Sequence, residues 1–174
     1  MNVLVAYASR LGSTRAIAER IAERIQTDGI AATARDVETV DDLIPYDAVI
    51  VGSAVYAGHW LKEASRFVRS HDARLAARPV WMFSSGPVGK TATAHEPVES
   101  EEVAELTRIT GARGHRTFAG SLDRATLDGA HLSSVERFVA RRFVPEGDFR
   151  DWPAIDAWAD GIARTLGATT TVSG

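Results

Sequence analysis

Val3-Leu4-Val5-Ala6-Tyr7-Ala8-Ser9-Arg10-Leu11-Gly12-Ser13-Thr14 decides the fold. An almost unbroken apolar run leads into a short loop of hydroxyl residues with one glycine, and a helical pattern follows. A strand that is apolar at consecutive positions is covered on both faces and belongs to the middle of a parallel sheet. Where such a strand passes into a helix, unpaired backbone N–H groups and the positive end of the helix dipole converge. Ser9, Ser13 and Thr14 bring hydroxyls to the same place, a donor set suited to a phosphate monoester. Spacing separates this loop from two other phosphate loops. The P-loop pattern GxxxxGK needs a lysine for the β and γ phosphates, and none follows Gly12; the GxGxxG fingerprint needs a glycine series, and only Gly12 is present. An ordinary strand–turn–helix with a Ser/Thr N-cap would use the same residues, so the loop alone leaves both readings open.

The pattern outward from this stretch alternates strands with helices. Ile17, Ile21 and Ile25 recur every four residues between Arg and Glu, and Gly29 closes the segment, which predicts an amphipathic helix from about Ser13 to Asp28. A weaker strand is expected at about Ala31–Val37, a buried one at Asp47–Gly52 after Pro45, and a helix from Leu61 to about Ser70 with Leu61, Ala64, Phe67 and Val68 on one face. Pro79–Ser84 reads as the next strand, Ser85–Ser100 as a polar loop, Glu101–Thr110 as a helix and His115–Ala119 as the last strand. Asp151-Trp152-Pro153 opens a final helix, with Asp151 as its cap and core positions at Ile155, Trp158, Ile162 and Leu166. This alternation predicts an α/β architecture with a parallel sheet and right-handed crossovers. One domain over residues 1–167 is expected, with a disordered Thr/Ser/Gly-rich tail at 168–174.

Composition narrows the function classes. The 174 residues suffice for one full core, and a net charge of −3 with 25% charged residues does not suggest nucleic-acid binding. With no cysteine, disulfides, thiolate catalysis and cysteine-ligated zinc or iron–sulfur centres are excluded. Met1-Asn2 leads straight into a strand with no basic region or cleavage site, and no apolar run nears the roughly 18 residues of a membrane span, so a soluble cytoplasmic protein is expected. His71, His95, His115 and His131 have no metal-ligand spacing, no metal site is expected, and Ser84-Ser85-Gly86 lacks the GxSxG frame of a nucleophile elbow.

In an open parallel sheet, ligands bind beyond the carboxyl ends of the strands. Three loops therefore share one rim: Ser9–Thr14, Ser53–Trp60 and Ser84–Lys90. The second carries Tyr56, Gly58, His59 and Trp60, where Tyr56 or Trp60 could stack on a planar ring and Gly58 would admit close backbone approach; a tryptophan just before a helix is more often a packing residue. The third is small, with Gly86 and Gly89, so that its amides could face ring heteroatoms. A phosphate cradle beside two loops suited to a flat heteroaromatic describes a mononucleotide such as FMN.

Ser9-Arg10-Leu11-Gly12-Ser13-Thr14 resembles the hydroxyl-rich phosphate loop of the flavodoxins. Ser53-Ala54-Val55-Tyr56-Ala57-Gly58-His59, Phe118-Ala119-Gly120-Ser121-Leu122 and Asp148-Phe149-Arg150-Asp151-Trp152 are similar to one flavodoxin-like branch, the menaquinone-dependent protoporphyrinogen IX dehydrogenases. The resemblance implies a three-layer sandwich around a five-stranded parallel sheet in the order 2-1-3-4-5, with non-covalent FMN at its carboxyl edge. Carried over, Ser9, Arg10, Leu11, Gly12, Ser13 and Thr14 would hold the phosphate. Ala54, Val55, Tyr56, Ala57, Gly58 and His59 would flank the flavin ring on one side, and Ser84, Ser85, Gly86, Pro87, Val88, Gly89 and Lys90 on the other. Two features depart from simple electron-carrier flavodoxins: the charge is nearly balanced, and the third loop has no aromatic to stack on the ring.

Gly120–Asp151 is longer than the usual connection of about 2–6 residues. Within it, Leu132, Val135, Phe138 and Val139 fall at helical spacing beside Arg137, Arg141 and Arg142, with Phe143 at the end. Such a helix would cover a hydrophobic substrate, bind its carboxylates or rest peripherally on anionic lipid through 132–143; a surface helix packed on the domain has the same pattern. The function expected is an FMN-dependent oxidoreductase passing electrons between an organic substrate, protoporphyrinogen IX in the specific version, and a quinone or other acceptor. His59 is the first candidate for a proton-transfer role. A flavodoxin-type electron carrier, a flavin-free flavodoxin-like interaction module and a deazaflavin in place of FMN are the alternatives.

Overall fold

The computed structural model describes residues 1–56, 58–86, 100–127 and 146–171. Strand β1 (Asn2–Ala8) lies between β2 (Ala31–Asp36) and β3 (Ala48–Tyr56), and the sheet continues through β5 (Val80–Ser85) to β6 (His115–Phe118). All four pairings along the order β2-β1-β3-β5-β6 are parallel, which is the 2-1-3-4-5 order among the parallel strands. A short β4 (His59–Trp60) adds antiparallel to the end of β3.

Both faces are covered because the central strands are apolar along most of their length. Val3, Val5, Ile50, Trp81 and Phe83 point to one side, where Ile17, Ile21 and Ile25 of α1 (Ser13–Thr27) and Ile155, Ile162 and Leu166 of the C-terminal helix meet them. Leu4, Ala6, Val49, Val51 and Met82 point to the other, against Phe67 and Val68 of α2 (Lys62–Ser70), Leu75 of α3 (Asp72–Ala76) and Val103 and Leu106 of α4 (Glu101–Thr110). The fourfold spacing of the isoleucines thus marks the face of α1 that enters the core.

The last helix, α5 (Trp152–Thr171), starts as its residues dictate: the Asp151 side chain accepts from the Ala154 amide at 3.0 Å, and Pro153 occupies the first turn. It continues past Gly167 to Thr171, because a single helix glycine costs only about 1 kcal/mol and does not by itself stop propagation. Helices α1 and α5 are also joined by two parallel charge pairs, Arg20 with Asp156 at 2.7 Å and Arg24 with Asp160 at 2.8 Å. Hydrogen bonding from Arg20, against a smaller opposing effect of burial, holds the Asp156 carboxyl below its ordinary value. A depressed carboxylate stabilises the fold above its unfolded pKa of about 3.9, and that contribution disappears as pH falls through the folded value. Asp156→Asn is therefore expected to lower the urea midpoint modestly at pH 7, and the difference from the parent should vanish in acid. A difference that persists below both values would assign the loss to packing.

The second loop is shorter than its sequence suggests. Instead of ending near Gly52, β3 runs on to Tyr56 and pairs Val55 with Trp60 and Tyr56 with His59. Gly58, at φ +82°, supplies the left-handed residue that a tight hairpin turn needs. The break suggested by Gly52 is a packing feature within the strand. At the other end of the sheet, β7 (Ser121–Leu122) and β8 (Gly147–Asp148) pair antiparallel, so the two ends of the long connection before α5 are held together. The expected basic helix at 132–143 lies outside the described residues, as do His95 and His131.

Candidate functional site

The carboxyl ends of β1, β3, β5 and β6 line up in register: Ala8 opposite Ser53, Ala54 opposite Ser85, and Ser85 opposite Phe118. The segments that leave them accordingly share one rim. At its centre, Ser9–Gly12 folds back on itself through a bond from the Gly12 amide to Ser9 Oγ at 3.2 Å. Gly12 then opens α1 in the left-handed region, φ +83°, and no side chain caps the helix. A Ser/Thr N-cap is therefore absent at this helix start. The N–H groups of the first turn are left to water or to an anion.

Ser13 Oγ accepts from the Ser121 amide at 2.8 Å, tying the loop to the chain leaving β6. That approach depends on Gly120, where a Cβ would stand 3.2 Å from Ser13 Oγ and 3.4 Å from Ser85 Oγ. Thr14 is 1% exposed and Ser85 5% exposed, and neither hydroxyl has a partner among the described residues. An unsatisfied buried hydroxyl costs about 1–3 kcal/mol, so one beside an uncapped helix start fits an anionic acceptor supplied from outside the chain. The residues present therefore suit a phosphate ester.

The other expected positions are distributed around this point. Ala54 is buried in β3, Val55 and Tyr56 are half-buried, and Gly58 is exposed at the hairpin turn. The Arg10 guanidinium lies 5.8 Å from the centroid of the Tyr56 ring, bridging the first loop to the hairpin. Trp60 is not a stacking platform: it is buried, and its indole N–H donates to Ser84 Oγ at 2.8 Å. Ser84 Oγ in turn lies 2.9 Å from His115 Nε2, so the hairpin, β5 and β6 are joined by one polar chain. Gly86, at φ +116°, donates its amide to the Phe118 carbonyl at 2.9 Å. Ala57 and Pro87, Val88, Gly89 and Lys90 lie outside the described residues.

His59 is exposed, with 72% of its side chain accessible and Nδ1 3.2 Å from Glu102 Oε2. Glu102, in the first turn of α4, also accepts from Ser65 Oγ at 2.6 Å and from the Trp60 amide at 3.3 Å. Burial raises its carboxyl, but the hydrogen bonds from Ser65, His59 and Trp60 outweigh that and hold it below its ordinary value. Glu102, Gly120 and Ser121 were not singled out as site residues in the sequence. Glu102 meets the hairpin only through the fold, and no spacing rule marks it. Gly120 and Ser121 fall in one of the stretches that carry the family resemblance, which gives them no role until β6 is placed beside β5.

The chain belongs to the flavodoxin family: the family model described as a flavodoxin domain matches residues 4–141. Membership implies flavin binding. Among curated proteins, the protoporphyrinogen IX dehydrogenase [quinone] of Escherichia coli strain K12 is 28% identical over 99 residues, 56% of this chain and 55% of that protein. The chain thus matches about half the length of this relative. Among solved structures, the rubredoxin oxygen:oxidoreductase of Desulfovibrio gigas aligns with a TM-score of 0.64 at 18% identity, covering 96% of this chain and 36% of that one. The flavodoxin of Streptococcus pneumoniae TIGR4 aligns with a TM-score of 0.54 at 21% identity, covering 74% of this chain and 91% of that one. Among the described residues, no helix is long and apolar enough to cross a membrane.

Proposed function

We propose that this chain binds FMN at the carboxyl edge of its sheet and acts as an oxidoreductase that moves electrons between an organic substrate and a quinone or similar acceptor. The observation that carries the reading is the buried Thr14 hydroxyl, without a partner among the described residues, beside the uncapped start of α1. In this reading Ser9, Arg10, Leu11, Gly12, Ser13 and Thr14 hold the phosphate by amides and hydroxyls. Arg10 adds the one full positive charge of the loop. The Ala54–His59 hairpin and the segment from Ser84 to Lys90 flank the ring and direct backbone groups at its polar edge. Bound FMN supplies the redox chemistry, exchanging electrons singly or as hydride. No side-chain nucleophile is required of the protein.

Protoporphyrinogen IX is the specific substrate proposed, and support for it is the partial match to the E. coli dehydrogenase together with the near-balanced charge of −3. The test is a turnover screen of the FMN-loaded protein with porphyrinogen and a menaquinone analogue, run beside ferredoxin-type partners. Porphyrinogen oxidation dependent on both FMN and quinone is expected. Electron exchange with the protein partners alone would make the chain a carrier. A purified protein that is colourless and refuses micromolar FMN would leave the flavin-free interaction module.

A further inference from the structure

The hairpin that would flank the flavin ring is not held by its own turn. Two antiparallel pairs, Val55 with Trp60 and Tyr56 with His59, make a ladder too short to be stable alone. It is fastened from outside at two points. The Trp60 indole is tied to Ser84 at 2.8 Å, which fixes the base of the hairpin against β5. Nearer the tip, a single carboxylate gathers the His59 ring, the Trp60 amide and the Ser65 hydroxyl, at 3.2, 3.3 and 2.6 Å. That carboxylate belongs to Glu102, with 20% of its side chain exposed, on α4, which lies between β5 and β6 in the chain.

We infer that Glu102 is a positioning residue for the flavin-ring subsite, acting through His59 and Trp60 to hold the 54–59 hairpin in its binding conformation. This rests on the FMN reading above. It also gives His59 a different task from proton transfer: with its ring nitrogen engaged by Glu102, His59 serves as the outer arm of the clamp. Replacing one of the two carboxylate oxygens that serve three donors by an NH2 group, and removing the charge, loosens the tip while leaving the Trp60–Ser84 anchor intact. The fold should survive, and the ring should be held less well. The phosphate cradle is on another loop and should not notice.

The experiment compares FMN with riboflavin, which has the ring without the phosphate, as ligands of the full-length protein and of Glu102→Gln and His59→Ala. Glu102→Gln is expected to weaken both ligands by the same factor, about 10-fold, because the loss falls on the part they share. His59→Ala, at an exposed position where folding is not at risk, is expected to weaken both by about 3-fold. In the double variant the losses should be less than multiplicative, since both changes open one clamp. FMN and riboflavin affinities that are each the same in the variants as in the parent would overturn the inference while leaving the FMN reading standing. Failure of the parent protein to bind FMN would instead overturn that reading. A loss for FMN with none for riboflavin would place the effect at the phosphate and also contradict the clamp.

Discussion

Gly52→Ala is expected to be one of the most damaging single substitutions in this protein. A Cβ at Gly52 would stand 2.0, 2.2 and 2.6 Å from Cζ, Cε1 and Cε2 of the Phe83 ring, all inside any tolerated contact. A flexible side chain would swing away. Phe83 has no such freedom, being fully buried with Phe118 and Trp158 around it at ring-centroid separations of 6.1 and 6.2 Å. Those two rings also pack on each other at 5.6 Å, so the aromatic group moves as a unit or not at all. Overpacking of a filled core costs about 1–3 kcal/mol and sometimes more, and a caged ring puts this case at about 3 kcal/mol. Against a total stability of about 5–15 kcal/mol, that is a large drop in the urea midpoint. Combining the change with Phe83→Leu should recover part of the loss, because the two substitutions compete for the same space. A midpoint close to that of the parent would show that β3 and β5 shift apart without cost.

Thr14→Val has the opposite signature, with effects of different sign on stability and on binding. In the free protein the Thr14 hydroxyl is buried without a partner among the described residues, so replacing it with an isosteric methyl should leave stability unchanged or raise it by up to about 1 kcal/mol. In the complex the same hydroxyl would donate to a charged phosphate oxygen. Its removal should weaken FMN by about 1–3 kcal/mol, roughly 5- to 150-fold, while riboflavin binding stays the same. Thermal melts of the free protein and fluorescence titrations with both ligands separate these outcomes. Lower stability with unchanged FMN affinity would mean that Thr14 serves the core and that the phosphate goes elsewhere.

The residues that revealed most in the sequence were those whose role is local. The apolar run 3–8, the isoleucines of α1 and the Asp151–Pro153 helix start each depend on nearest neighbours along the chain, and each lies where the pattern puts it. The strand order came through the family resemblance, because periodicity alone does not say which strands are neighbours. Reading failed where a residue's meaning depends on a distant contact. Gly52 looked like the end of a strand and is instead a strand interior shaped by Phe83. Trp60 is open in the sequence between stacking on a ring and packing, and is paired in β4, its indole satisfied by Ser84. Glu102 looked like one more acid in a helical first turn, where acids are common in any case, and is the acceptor for three groups of the hairpin and α2. Of the candidate site, the β1–α1 loop is therefore the most legible part, since one short segment carries its hydroxyls and its glycine, and the 54–59 hairpin the least.

Equilibrium titration of the flavin-free protein with FMN and with riboflavin, side by side, goes most directly to the idea that the β1–α1 loop holds a phosphate ester. Several charge-assisted bonds of about 1.5–3 kcal/mol each predict that FMN binds at least about 100-fold more tightly than riboflavin. Equal affinities for the two, or no binding of either at micromolar concentration, would contradict the account.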